Sequence, residues 1–127
     1  MSRKPPGPEE LLHRSVIEWL GWVKPNCLYF HPYNGAYMSK ATAGKGKALG
    51  VLPGVADLVF VLPGGRVRFI ELKAPKGVLN DSQKAFRDNV RDLGCRYTVA
   101  RSIEDVSQIL EAWGVTFAHA HARGRAA

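Results

Sequence analysis

Asp57, Glu71 and Lys73 are the residues of this chain whose types and spacing best suit hydrolytic chemistry. Glu71 and Lys73 stand two apart in the stretch Arg66-Val-Arg-Phe-Ile-Glu-Leu-Lys73, fourteen and sixteen residues after the Asp of Gly54-Val-Ala-Asp57. Two carboxylates can hold a hard divalent cation through oxygen, and such a cation polarises a phosphate and activates water. An ammonium beside them can position that water and offset negative charge growing on the phosphate. The chemistry implied is metal-assisted hydrolysis of a phosphodiester. A Glu-x-Lys alone says little, because it arises by chance in roughly four of ten chains this size and otherwise reads as a solvated strand face. The ordered set is more specific. Gly-x-x-Asp opens an apolar strand, Pro-Gly-Gly turns it, Glu-x-Lys closes the next strand, and a helix follows near a Gln.

These residues need a hairpin to bring them together. The apolar run Leu58-Val-Phe-Val-Leu62 precedes Pro63-Gly64-Gly65, a turn signal between two strands. In an antiparallel pair the start of the first strand faces the end of the second, which sets Asp57 near Glu71. Side chains alternate along a strand, so Val67, Phe69, Glu71 and Lys73 share one face while Arg68, Ile70 and Leu72 share the other.

Helices and further strands flank this hairpin. Leu12, Val16, Trp19, Leu20 and Val23 recur at helical spacing and predict a helix from 9 to 23, turning Glu9, His13, Arg14 and Glu18 to other surfaces. Glu9 and Glu10 follow Pro8 in its opening turn, where the helix dipole alone would favour a carboxylate. Cys27-Leu-Tyr-Phe-His31 reads as a short strand stopped by Pro32. Asn80 is a helix cap for residues up to 93, with Ala85, Phe86, Val90 and Leu93 inward, and Gln83 three residues on completes a capping-box pattern. Gly94 ends that helix, Arg96-Tyr-Thr-Val-Ala100 forms a strand, and Ser102 with Asp105 opens a last helix through Trp113. The order expected is α-β-β-β-α-β-α.

Between the first strand and the hairpin, Ser39-Lys-Ala-Thr-Ala-Gly-Lys-Gly-Lys47 reads as a long basic loop. It is not a Walker loop, since Ser39 stands where that pattern needs Gly and Gly46 where it needs Ser or Thr. Its glycines and lysines suit contacts to a nucleic-acid backbone.

Leu49-Gly-Val-Leu-Pro-Gly-Val-Ala-Asp-Leu-Val59, Phe69-Ile-Glu-Leu-Lys73, Asn80-Asp-Ser-Gln83 and Gly94-Cys-Arg-Tyr-Thr-Val99 together resemble the VRR-NUC domain, a branch of the PD-(D/E)XK nucleases, from residue 9 to residue 110. Ala56 departs from the superfamily pattern, which has Pro before the Asp; that proline shapes a turn and supplies no ligand. The resemblance implies an α/β, restriction-endonuclease-like α-β-β-β-α-β core with a mixed central sheet flanked by helices. It implies a DNA endonuclease directed to four-way junctions or flaps and working as a homodimer. Asp57, Glu71 and the Leu72 backbone carbonyl would hold Mg²⁺ or Mn²⁺, and Glu9 is the better match than Glu10 for an added carboxylate from the first helix. Lys73 would act on the attacking water, and Gln83 would lean toward the site as well as cap its helix. Asn34, Lys40, Lys45, Lys47, Lys76, Lys84 and Arg87 are the candidate contacts to nucleic acid, with Arg91 adding positive potential.

Composition agrees with this. A chain of 127 residues makes one domain, expected over 9–114, with a flexible leader at 1–8 and a basic tail at 115–127. A net charge of +7 and a pI near 9.7 point to a polyanionic partner. Cys27 and Cys95 form neither a zinc-ligand pair nor a disulfide framework, which suits a reducing cytoplasm, and the resemblance implies that of a bacterial or phage-infected cell. His119 and His121, in a small-residue basic tail, read as part of a disordered end rather than a metal site. No apolar run reaches the ~20 residues that would cross a bilayer. Two other classes stay in view. A non-catalytic DNA-binding module on the same fold is countered by the intact Asp57, Glu71 and Lys73; a structural interaction module is countered by the net charge.

Overall fold

The hairpin forms as its pattern requires. In the computed structural model, which describes residues 4–33 and 40–119 (without the side chains of 40–43), β2 (Leu58–Leu62) pairs antiparallel with β3 (Arg66–Leu72), and Leu58 sits opposite Ile70. β1 (Leu28–Phe30) adds antiparallel to β2, and β4 (Arg96–Ala100) adds parallel to β3, so the sheet is mixed with order β1-β2-β3-β4. A parallel neighbour needs a crossover, and α3 (Asp81–Asp92) supplies it. Asn34 and Ser39 lie outside the described residues, as do Met1 to Arg3 and everything after His119.

Two apolar layers cover the sheet. On one face α1 (Pro8–Val23) and α4 (Ile103–Ala112) bury Val16, Leu20, Val23, Val106 and Leu110 against Leu58, Phe60, Ile70 and Leu72. On the other face α3 sets Phe86 and Val90 on Tyr97 and Ala56, with Phe69 alongside. The alternation in β3 decides this split: Ile70 and Leu72 go to the α1/α4 core, while Phe69 goes to the α3 side and Glu71 follows it.

Three expectations need correction. The basic stretch is not a loop, for α2 (Lys40–Ala48) is helical, making the element order α-β-α-β-β-α-β-α. Ala41, Ala43, Ala48 and the lysines are strong helix formers, and together they outweigh Gly44 and Gly46. Leu93 does not face inward; it caps α3 at its C-terminal end and is 83% exposed, and Ala85 is exposed too. Residues 115–119 are also no loose tail. Val115 is buried, Phe117 meets Trp19 edge-on, and His119 N donates to the Val23 carbonyl. Among the described residues no helix is long and apolar enough to cross a membrane.

Candidate active site

Glu71 near the end of β3 and Lys73 just beyond it lie under cover, at 2% and 6% exposure, which rules out a solvated strand face. The hairpin register carries Asp57 to them. Asp57 N donates to Glu71 Oε1 at 3.2 Å, and Leu72 N donates to Asp57 Oδ2 at 2.8 Å. A strand residue turns its N–H and carbonyl to the same side, so the Leu72 carbonyl shares the side of Asp57. Lys73 Nζ lies 3.5 Å from Glu71 Oε2 and 3.6 Å from Glu9 Oε1.

Gln83 joins this group from α3. Its backbone N–H donates to Asn80 Oδ1 at 2.9 Å and its Oε1 accepts from Asn80 N at 3.0 Å, a reciprocal cap. With Oε1 committed there, Nε2 is the free end, and it donates to Glu71 Oε2 at 3.0 Å. One side chain therefore starts the helix and holds the buried carboxylate. Gly54 allows that approach, because its φ of +81° and missing side chain let the loop before Asp57 lie on the first turn of α3.

Burial, followed by the Asp57 charge, pushes the Glu71 carboxyl up to about 8, with Lys73 opposing. The folded state then binds a proton that the unfolded chain, with a group near 4.5, has released, so this group's stabilising contribution fades as pH rises from about 5 through 8. Unfolding midpoints measured in EDTA from pH 5 to 9 should fall over that window, and Glu71→Gln should flatten the slope. An unchanged slope in the variant would assign the pH dependence to other groups.

The two first-turn acids part company. Glu9 reaches Lys73, while Glu10 pairs with Arg14 at 2.6 Å. Three residues that sequence reading missed also come to the site. Arg101 Nη1 donates to the carbonyls of Ala74 at 2.7 Å and Gly77 at 2.8 Å, clamping the turn just after Lys73. His31 Nδ1 lies 2.6 Å from the Asp57 carbonyl oxygen, and the His13 ring meets the His31 ring edge-on at 4.5 Å. The signal was the spacing: His13 follows Glu9 by one helical turn, and extending the Phe30–Val59 register brings His31 to the start of β2. Burial lowers the His13 pKa, with His31 adding to the effect and Asp57 opposing it.

Glu9, His13, His31, Asp57, Leu72 and Gln83 line one cleft of about 1280 Å³, with Lys4 and Arg14 also on its wall. Among the candidate nucleic-acid contacts, Lys45 and Lys47 are exposed on α2, Lys76 after β3 and Lys84 on α3. Arg87 pairs with Asp88 at 2.9 Å, and Arg91 donates to the Tyr97 carbonyl at 2.9 Å, so both guanidiniums have protein partners. Lys40 opens α2, its side chain lying outside the description.

A family model described as "VRR-NUC domain" matches residues 38–104, just over half of the chain. No curated protein matches it. Among solved structures, one described as "VRR_NUC domain protein" is similar with a TM-score of 0.65 and 19% identity, covering 87% of this chain and 90% of that one. Another, "VRR_NUC domain", has a TM-score of 0.57 and 17% identity, covering 85% of this chain and 99% of that one. At such identities the likeness is one of fold.

Proposed function

The chain belongs to the VRR-NUC domain family, a nuclease-type domain, and from that membership we propose that it is a divalent-metal-dependent endonuclease hydrolysing phosphodiester bonds in branched DNA. The observation that carries this reading is Glu71, a buried carboxylate gathered with Asp57, Lys73 and Gln83 beside an open cleft.

The residues fit a hard cation. The buried Glu71 and the half-buried Asp57 share one network with a single ammonium; burial first and the Asp57 charge second have raised Glu71, and a divalent ion would offset both. Asp57, Glu71 and the Leu72 carbonyl would hold Mg²⁺ or Mn²⁺, with Glu9 at the outer edge. When bound, such an ion would polarise the phosphate and lower the pKa of a coordinated water, so that hydroxide becomes available as nucleophile. Lys73 would orient an attacking water and would place a positive charge where the phosphate gains negative charge. Gln83 keeps Glu71 in one rotamer by fixing Oε2, and the Leu72 N–H does the same for Asp57 through Oδ2. Glu9 in turn steadies the Lys73 ammonium.

Substrate class follows from charge and family. A net charge of +7 with exposed Lys45, Lys47, Lys76 and Lys84 suits sequence-independent phosphate contacts, and a four-way junction would match a two-fold homodimer with two sites. Free Cys27 and Cys95 suit a reducing cytoplasm.

Incubation of the purified chain with labelled four-way junction, flap, linear duplex and single-stranded DNA, each with Mg²⁺, Mn²⁺ or EDTA, tests the reading. Cutting is expected with either metal, fastest on a branched substrate, and none in EDTA. Salt-sensitive binding with no cutting under any metal would overturn the catalytic reading and leave a binding module.

A further inference from the structure

We propose that His13, His31 and Asp57 form a second cation position, selective for a borderline divalent metal such as Zn²⁺ or Co²⁺, beside the carboxylate pair. One ligand atom from each of these three side chains lies within 4.8 Å of the others, and they arrive from three separate elements: α1, the end of β1 and the start of β2.

The orientation of His31 supports a ligand role. Its Nδ1 is 2.6 Å from the Asp57 backbone carbonyl, and a carbonyl oxygen accepts but never donates, so Nδ1 carries the proton. The lone pair is thereby left on Nε2. Metal-binding imidazoles are held in this way, by a carbonyl or carboxylate on the nitrogen that does not bind. The edge-on His13 ring completes a two-imidazole, one-carboxylate set. With bonds of ~2.1 Å, tetrahedral ligand atoms sit about 3.4 Å apart, so the three atoms, already within 4.8 Å of one another, need to close by at most about 1.4 Å on metal binding.

The donor types set the selectivity. Imidazole nitrogen favours Zn²⁺, Co²⁺ and Ni²⁺, whereas Mg²⁺ prefers oxygen and sheds its water reluctantly. The all-oxygen position at Asp57, Glu71 and the Leu72 carbonyl should therefore take the opposite class of ion. Asp57 has lone pairs on both carboxylate oxygens and can serve each. The proposal does not rest on the nuclease reading, since it shares only Asp57 with that site and is tested by binding alone.

The test is a Co²⁺ titration of the full chain in a large excess of Mg²⁺, read by visible absorption and by paramagnetically shifted imidazole N–H signals in proton NMR. Binding with imidazole signals is expected to persist in Mg²⁺. His13→Ala and His31→Ala should each weaken it by about tenfold or more, as disrupted metal sites typically do. Because His31 also holds the Asp57 carbonyl, His13→Ala, which keeps that hydrogen bond, decides the matter if His31→Ala unfolds. Glu71→Gln and the tail double variant His119→Ala/His121→Ala should leave the spectrum in place. Displacement of Co²⁺ by Mg²⁺, loss of binding in Glu71→Gln or in the tail variant, or parent-like binding by His13→Ala would each overturn the assignment.

Discussion

Lys73→Ala is expected to slow DNA cleavage by about 10³-fold while DNA binding at low salt persists. The ammonium sits 6% exposed between Glu71 Oε2 and Glu9 Oε1, so it is held in place by two carboxylates rather than by solvent. Its removal takes away the charge that would face the phosphate and the group that would orient water. DNA affinity should depend instead on exposed lysines elsewhere, so binding and turnover should separate. The same change strips Glu71 of the cation that opposes its protonation, which should raise its pKa further and weaken divalent-ion binding at neutral pH. Gel-based cleavage rates and a filter-binding titration on one labelled junction give both readouts. Parent-like cleavage by this variant would remove Lys73 from the mechanism; equal loss of binding and cleavage would make it a DNA contact.

Gly54→Ala is expected to cost about 3 kcal/mol or more of stability and to take the site with it. Gly54 has φ +81°, where a side chain alone costs ~1–2 kcal/mol. The added methyl would also overlap the Ser82 carbonyl carbon and oxygen and stand 2.8 Å from Gln83 N. These are backbone atoms of the first turn of α3, which cannot step aside without moving the Asn80–Gln83 cap. Moving that cap pulls Gln83 Nε2 from Glu71, so cleavage should fall even in molecules that remain folded. Gly64→Ala is the control. It has φ +84° but no atom within 4 Å of the added methyl, so it carries the conformational cost without the overlap. Urea unfolding of the two variants isolates the difference, and equal losses would show that Gly54 is needed for its dihedral angle alone.

Much of this fold was legible because its signals are local. The apolar run 58–62, the alternation along 66–72, the Pro63-Gly64-Gly65 turn and the Ser102 and Asn80 caps each act within a few residues, and each element formed where its signal stood. The meeting of Asp57 with Glu71 was legible for the same reason, as a hairpin converts a fourteen-residue separation into adjacency. Gln83 was readable as a cap that also leans toward Glu71, and its amide does have two ends that reach both partners. The 40–48 helix was missed because its glycines read as loop signals, although its alanines and lysines favour helix. Leu93 was misjudged because helical period says nothing of where a helix stops touching its sheet.

The sequence by itself determined which backbone elements form and that an Asp, a Glu and a Lys end on one corner of a hairpin, since those outcomes depend on dihedral preference, turn chemistry and side-chain alternation along a few residues. Only the tertiary structure decided that Glu71 and Lys73 are buried, that Glu9 rather than Glu10 reaches Lys73, that Arg101 clamps the turn beyond it, and that His13 and His31 meet at Asp57. Those contacts join residues from separate elements, and their existence rests on which helix packs on which face of the sheet, a choice made by the sum of apolar burial over the whole chain.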